Sequence, residues 1–302
     1  MVQGQGVHED APRNYRVDSR FFSPPEEFDG CFTTFYQLLL EVDDGGTVVD
    51  YLQPEWGNIR FFAGSTPISG HVGGPTISNA RFTATGPSSL PVRFEIGTCK
   101  MWGIGFLPLG WARFVDADAS DVANVVCAGS DHPVFRKFDP LAEVLCDSGI
   151  SDEEQYDAIV QFMRKNARRH RDEDKIMRVH RALLAEDLST VAEFADASGM
   201  SLRTLERVCR RIFGFTPKLL MRRQRFIRSL STYMLHQGSK WTEAMDGHYH
   251  DQAQFTREFR EFMTMNPSEY AALEHPILEA FMTARAHARG SAAQALDSPD
   301  RA

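Results

Sequence analysis

The 302-residue sequence lacks long apolar runs, paired cysteines and the common motifs of enzymes. No stretch approaches about 18 consecutive apolar residues, and the first thirty residues lack the apolar segment of a signal peptide, so we expect a cytoplasmic protein with no membrane partner. The five cysteines form no Cys-x-x-Cys pair, which argues against disulfides and structural zinc. GxSxG, Walker and GxGxxG patterns are absent, so the sequence predicts neither an enzyme nor a cofactor.

The net charge of −8 conceals an uneven distribution along the chain. Residues 1–160 hold 10 basic and 23 acidic side chains, a net charge of −13, whereas residues 161–230 hold 17 and 8, a net charge of +9. Residues 231–302 return to a net charge of −4. Within the middle segment, residues 201–230 carry nine basic side chains and a single acid, Glu206. A basic patch of this kind favours a polyanionic partner in spite of the acidic average.

The length suggests two domains, and the first half is rich in strand signals. Short runs with β-branched and aromatic residues alternate with Gly, Pro, Ser and Asn clusters, and we predict strands from Thr47, Asn58, Asn79, Pro91 and Met101. Strands at this spacing indicate a small antiparallel barrel or sandwich. The predicted fold class is therefore α+β, with a β-rich domain over residues 1–165 and an all-α domain over residues 166–274.

Helix signals begin with Ser151, whose spacing to Glu154 forms a capping box, and we predict a helix from Asp152 to Arg169. Further on, N-cap residues open two pairs of helices, each pair separated by a short turn. A long helix that starts at Thr216-Pro217 and ends near His236 joins the two pairs. The pattern predicts two helix–turn–helix units. Residues 275–302 are expected to form a tail with one short helix and a disordered end.

Two helix–turn–helix units joined by a long helix suit the major groove of DNA, which admits one helix. The apolar positions of each second helix fix its buried side, and the opposite side carries the candidate base-reading residues, because arginine can bond guanine and glutamine can bond adenine through two hydrogen bonds. These residues are Arg203, Thr204, Glu206, Arg207, Gln252, Gln254, Thr256 and Arg257. A second set is expected to contact phosphates without reading sequence. It consists of Arg210, Arg222, Arg223, Arg225 and Arg228.

Residues 198–226 and residues 249–270, the latter reading YHDQAQFTREFREFMTMNPSEY, resemble the DNA-binding region of the AraC/XylS family of bacterial transcriptional regulators. The resemblance covers residues 175–273, about a third of the chain. It places the family's base-reading positions on Arg203, Glu206 and Arg207 in the first unit and on Gln252, Gln254, Thr256 and Arg257 in the second. The segment from Trp241 to Asp251 is about one residue shorter than the common family pattern. Glu206 either accepts a bond from cytosine or pairs with an arginine of its own helix.

The resemblance also implies that the N-terminal domain binds a small effector or pairs two subunits. Double-stranded DNA is the expected partner, with RNA polymerase, a small-molecule effector and a second copy of the chain as further candidates. The sequence does not identify the effector pocket, and most candidate lining residues suit ordinary core positions equally well. They are Trp56, Arg60, His71, Arg93, Trp102, Phe106 and Trp111. His71 and His132 are isolated, so we predict no metal site.

Two alternatives remain open from the sequence alone. The β-rich domain could be a small-molecule enzyme with the helical half as an oligomerisation module, although no paired carboxylates or activated nucleophile support this interpretation. A regulator that senses no ligand and responds to its abundance or to a protein partner is the other alternative. The operator sequence, the sign of regulation and the number of subunits are not determined by the sequence.

Overall fold

A computed structural model describes residues 14–236 and 240–300 of the chain. The N-terminal half contains nine strands in these residues, all paired antiparallel. They are β1 (Tyr15–Phe22), β2 (Phe32–Val42), β3 (Val48–Leu52), β4 (Asn58–Gly64), β5 (Ile68–His71), β6 (Phe82–Thr85), β7 (Val92–Ile96), β8 (Cys99–Phe106) and β9 (Val126–Ala128).

The strands form a six-stranded sheet in the order β1-β2-β8-β4-β6-β9 and a three-stranded sheet in the order β3-β7-β5. The two sheets do not close into a barrel, so the sandwich-like alternative is the correct one. The strand predicted from Met101 ends at Phe106, because Pro108 opens a buried helix that extends to Phe114. Proline fits the first turn of a helix, where its missing N–H has no partner to lose.

Eleven α-helices lie within the described residues. The N-terminal half contributes α1 (Pro108–Phe114), α2 (Ala142–Leu145) and α3 (Asp152–Asn166). The C-terminal half contributes α4 (Glu173–Leu184), α5 (Val191–Ser198), α6 (Leu202–Val208), α7 (Pro217–Leu235), α8 (Trp241–Ala244), α9 (Gln252–Met263), α10 (Pro267–Ala271) and α11 (Leu278–Arg289). A π-helical turn, Cys209–Phe213, extends α6.

The helix boundaries confirm the capping signals that predicted them. The Ser151 side chain accepts from the backbone of Glu154, and Thr190 forms the same arrangement with Glu193. Thr216 caps α7, the predicted long helix, by accepting from the Leu219 backbone at 3.3 Å. These local hydrogen bonds satisfy N–H groups that have no partner inside the helix, which is why the caps mark the helix starts.

The C-terminal segment, which we define as residues 275–300, is ordered and packed, contrary to the expected disordered tail. Helix α11 lies against β1 and α7. Beyond it, Ala292, Ala293 and Ala295 are buried. The fully buried Arg285 of α11 pairs with Asp297. The sequence signal was misleading because small alanines and a polar composition resemble a flexible tail, whereas small side chains also allow close packing.

One continuous core joins the β-rich domain to the first helix–turn–helix unit. Trp56 of the N-terminal domain is buried at this junction, with its ring centre 6.0 Å from that of His180 in α4 and 5.7 Å from that of Phe213 in the π-helical turn. The second unit has its own core, which includes residues of α7, α9 and the C-terminal segment. The two halves of the chain therefore share one packed body.

Three features bear on the function classes considered above. No helix among the described residues is long and apolar enough to cross a membrane. In the same part of the chain, no group of three or more His, Cys, Asp or Glu side chains is arranged to hold a metal ion. All five cysteines are free thiols, and burial raises the pKa of Cys31 to about 11 and that of Cys99 to about 12.

Candidate DNA-binding surface and ligand cavity

The two helix–turn–helix units repeat with an offset of 50 residues. Ser201 caps α6 by accepting from the Thr204 backbone, and Asp251 caps α9 by accepting from the Gln254 backbone at 2.6 Å. Left-handed residues end both second helices, Gly214 at φ 87° and Thr264 at φ 59°. The same offset holds between the N-cap residues of the preceding helices, so both units have the same spacing from cap to cap. The shortening from Trp241 to Asp251 relative to the common family pattern stays a prediction.

The repeat places three of the four candidate base-reading residues of each unit at equivalent positions, namely Thr204 and Gln254, Glu206 and Thr256, and Arg207 and Arg257. The pattern of burial along residues 201–210 is identical to that along residues 251–260. Arg207 and Arg257 occupy matching sites, and both are exposed. Neither forms an ion pair or a side-chain hydrogen bond with a described residue, and the same holds for the exposed Arg203. Their guanidinium groups are therefore available to an external partner.

Four of the other predicted base-reading residues make local side-chain contacts, whereas the exposed Gln252 side chain forms no hydrogen bond with a described residue. Glu206 accepts a hydrogen bond from Nε of Arg210 at 2.8 Å, one turn along the same helix. Both side chains are about half exposed, and an exposed pair of this kind contributes only about 0.3–0.5 kcal/mol, so DNA could displace it. Gln254 accepts from the His250 backbone, Thr256 donates to the Gln252 carbonyl, and Thr204 lies within hydrogen-bond distance of Ser201.

Three of the predicted phosphate contacts on α7 are engaged by carboxylates of the second unit. Arg222 and Arg225 both donate to one oxygen of the buried Glu258, at 2.9 and 2.6 Å. Arg228 donates to Asp246 at 2.5 Å. Glu258 stands where the first unit has Val208, so the second unit replaces an apolar contact with a charged one. These arginines hold the second unit on α7, and a phosphate contact would require each to leave its carboxylate.

The prediction that Arg223 contacts phosphate is wrong in this conformation, because Arg223 is completely buried. Its guanidinium lies 4.0 Å from the centre of the Trp56 ring and donates to the Ser88 carbonyl at 3.0 Å. Burial lowers its pKa to about 9, which leaves the group protonated at neutral pH. Arg223 is thus a contact between α7 and the N-terminal domain, where a desolvated cation over an aromatic ring is worth about 2 kcal/mol or more.

A cavity of about 80 Å³ lies between the two sheets of the N-terminal domain and is closed on one side by the C-terminal segment. Its wall is mainly apolar and includes Leu38, Phe62, Val92, Phe94, Met101 and Phe281. Of the seven pocket residues proposed from the sequence, Arg60 alone lines this cavity. Trp56, Trp102, Phe106 and Trp111 belong to the core, and both ring nitrogens of His71 lie 2.9 Å from backbone carbonyls.

The cavity contains one buried ion pair. Arg60 donates through Nη2 to Glu55 at 2.5 Å and through Nε to the Tyr36 hydroxyl at 3.1 Å. Burial by itself lowers the pKa of Arg60, but the adjacent Glu55 carboxylate outweighs it and the pKa lies above its ordinary value. The side chains of both Arg60 and Glu55 are at most 10% exposed, so the pair is largely shielded from solvent.

A hydrogen-bonded chain leads from this ion pair to the long helix. The Tyr36 hydroxyl donates to Asn58, and Asn58 donates to Gln294 of the C-terminal segment, each at 3.1 Å. The next residue, Ala295, accepts from the Gln224 side chain of α7 at 2.6 Å. Sequence reasoning missed this arrangement because nothing in the local pattern brings residue 294 next to residue 58.

Comparison with known proteins identifies the helical half. Residues 194–272 match the family model described as a helix-turn-helix domain. No curated protein matches the sequence.

Three solved structures resemble the chain weakly. ToxT from Vibrio cholerae is 12% identical, with a TM-score of 0.41 over 85% of this chain and 98% of that one. Wild-type ToxT from Vibrio cholerae strain SCE256, bound to an unsaturated fatty acid, is 12% identical with a TM-score of 0.40 over 87% and 96%.

The AraC-like transcriptional activator CuxR is 15% identical with a TM-score of 0.24 over 70% and 86%. A likeness at this level carries no argument about function. The family match, the duplicated units and the exposed arginines agree with one another. The chain therefore carries a helix-turn-helix domain of the AraC type, the DNA-binding domain of transcriptional regulators.

Proposed function

We propose that this protein is a sequence-specific transcriptional regulator that reads DNA with α6 and α9 and responds to a small effector in its N-terminal domain. The observation that carries the DNA-reading part is the matched pair Arg207 and Arg257, exposed and without a partner in the described residues at equivalent positions of a 50-residue repeat. Arginine at such a position can donate two parallel hydrogen bonds to guanine in the major groove.

The remaining proposed readers are Arg203, Thr204 and Glu206 on α6 and Gln252, Gln254 and Thr256 on α9. Arg210 is exposed and is the proposed phosphate contact of the first unit. The acidic N-terminal domain would be repelled by phosphates, so we propose that DNA meets the helical half alone.

The effector part of the proposal is supported by the cavity and by the chain of contacts that leaves it. Residues of the C-terminal segment line the cavity, and the same segment contacts α7, which joins the two units. A molecule in the cavity would contact the segment on which α7 rests. Its binding could therefore shift α7, and the spacing of the two reading helices, if it favours one placement of that segment over another.

The test is DNA binding by the full chain and three arginine variants. Fragments selected from a random DNA pool provide the preferred site, and fluorescence anisotropy measures affinity. We expect Arg207→Ala and Arg257→Ala each to weaken binding by about 1–3 kcal/mol and to relax preference at different bases of the site. Arg81→Ala is the matched control, because Arg81 is an exposed arginine of the N-terminal domain.

The outcomes of this test are distinct. Loss of base preference at separate positions in the two variants, with the Arg81 variant unchanged, supports reading by both helices. If the unmodified protein binds all fragments alike, or if all three variants lose affinity equally, base reading by these arginines is refuted.

A further inference from the structure

The cavity of the N-terminal domain has a balanced charge. Arg60 and Glu55 are the only charged residues that line it among the described part of the chain, and they are bonded to each other. A ligand with a carboxylate or an ammonium group would therefore bring an unmatched charge into a mostly apolar enclosure. Burying an unpaired charge is strongly unfavourable, so the cavity discriminates against ions of either sign.

The cavity nevertheless leaves hydrogen-bonding groups unused. Gln53 is 7% exposed, lines the cavity, and its side-chain oxygen has no hydrogen-bond partner. Arg60 uses Nε and Nη2, while its Nη1 donates to no described residue. A buried acceptor without a partner is costly to the folded protein, and native structures have few of them. One free acceptor and one free donor in the same enclosure suit a group that can both donate and accept.

The size of the cavity limits the ligand further. About 10–15 Å³ of such space holds one water molecule, so 80 Å³ has room for about six. That corresponds to a molecule with a single ring or a short branched chain. The apolar wall, with Phe62, Phe94 and Phe281, suits such a skeleton.

We propose that the effector site suggested above takes a small, uncharged and mainly apolar molecule that carries a hydroxyl group, such as an aromatic alcohol or a phenol. The hydroxyl donates to Gln53 and accepts from Arg60, while the Arg60–Glu55 pair remains intact. This inference rests on the proposed function only for the role of the site, because the ligand class follows from the cavity itself.

The test compares three probes of one skeleton, benzyl alcohol, benzoate and benzylammonium, at equal millimolar concentrations near neutral pH. Thermal unfolding and ligand-observed NMR of the full chain measure binding. We expect benzyl alcohol to raise the unfolding temperature and to bind at least tenfold more tightly than either ion. Benzoate binding as tightly as the alcohol, or no binding of the alcohol, would overturn the proposal.

Two variants test the charge balance of the Arg60–Glu55 pair and the hydrogen bond to Gln53 separately. Glu55→Gln leaves Arg60 without its counter-charge, so we expect this variant to bind benzoate more tightly than benzyl alcohol. Glu143→Gln is the same change at an exposed site and should leave the order of the three affinities unchanged. Gln53→Leu removes the acceptor without a partner, so the free protein should melt at a higher temperature while the affinity for benzyl alcohol falls. A Gln53→Leu protein that binds the alcohol as well as the unmodified protein does would contradict the assignment.

Measuring DNA affinity on the same preparations distinguishes two failures. If sequence-specific DNA binding is intact but the protein shows no preference for the alcohol, the proposed ligand class is refuted and the proposed regulatory function stands. If the protein prefers the alcohol but does not bind DNA, the proposed regulatory function is refuted and the proposed ligand site stands.

Discussion

Acidification should weaken the junction between the two halves of the protein, because a histidine is buried there. His180 in α4 is 1% exposed and lies beside Trp56 and Phe213. Burial lowers its pKa to about 3, with a further decrease from the nearby Arg223 and a partial opposing effect of Asp300. The imidazole is therefore neutral in the folded protein at every pH above about 3.

The sign and size of the effect follow from linkage. The unfolded chain protonates this histidine near its ordinary pKa of about 6.5, so between pH 6.5 and 3 the unfolded state binds more protons than the folded one. The contribution of the neutral His180 to the free energy of unfolding is fully present above pH 6.5 and decreases as the pH is lowered towards 3. Each pH unit contributes about 1.4 kcal/mol, so lowering the pH from 7.5 to 5.0 should cost about 2 kcal/mol through His180 alone.

The assay is equilibrium denaturation at both pH values for the unmodified protein and for His180→Leu, which has a similar volume and does not titrate. Other titrating groups contribute equally to both proteins, so the difference between the two pH-dependent losses isolates His180. We expect the variant to lose about 2 kcal/mol less than the unmodified protein. Equal losses would show that His180 is accessible to protons in the folded state and would refute the reasoning.

Two further substitutions test buried ion pairs. Glu258→Gln should destabilise the second helix–turn–helix unit by about 2 kcal/mol, because it leaves Arg225 without a carboxylate partner and Arg222 with Glu261 alone, and faster hydrogen exchange in α9 would show this. Glu206→Gln at the exposed pair is its control and should change stability by at most about 0.5 kcal/mol. Asp297→Asn should release the C-terminal segment by leaving the fully buried Arg285 unpaired, at a cost of about 3–5 kcal/mol, and unchanged hydrogen exchange in α11 would contradict this.

The sequence predicts the helical half well because its signals are local. Caps such as Ser151, Thr190 and Thr216 hydrogen-bond to residues three positions away, so their spacing alone marks a helix start. Gly214 is also a local signal, because a glycine in the left-handed conformation often follows the last turn of a helix. The exposed faces of α6 and α9 also follow from periodicity, since each helix buries only one side.

The β-rich half was harder to predict because its strands depend on partners far along the chain. Strand β2, with all but two of its eleven residues buried, mixes polar and apolar residues without regular alternation, so its state is set by pairing with β1 and β8 rather than by its own pattern. The cavity could not be predicted from the sequence for the same reason, since residues from both sheets and from the C-terminal segment line it. Gln53 has no local feature that marks it as a buried acceptor.

The arginines of α7 show where charge counting fails. A basic cluster on an amphipathic helix predicts a solvated face, but α7 buries residues such as Arg223, Gln224, Ser229 and Leu230, because the N-terminal domain, the second unit and the C-terminal segment all pack around it. A helix enclosed on several sides must neutralise its cations internally, and Glu258 and Asp246 do so.

The basic patch of residues 201–230 therefore contains both arginines that are engaged within the fold and arginines that are free of any partner among the described residues. On α7, Arg225 and Arg228 hold the second unit through carboxylates. Arg223 contacts the N-terminal domain through the aromatic ring of Trp56. Arg203 and Arg207 on α6 have no such partner in the described residues, and Arg257 on α9 repeats the same position outside the patch. Because only unpaired charge can bind phosphate or bases without first breaking an ion pair, we propose that DNA docks at the free cations of α6 and α9, although they are a minority of the basic residues that the sequence displays.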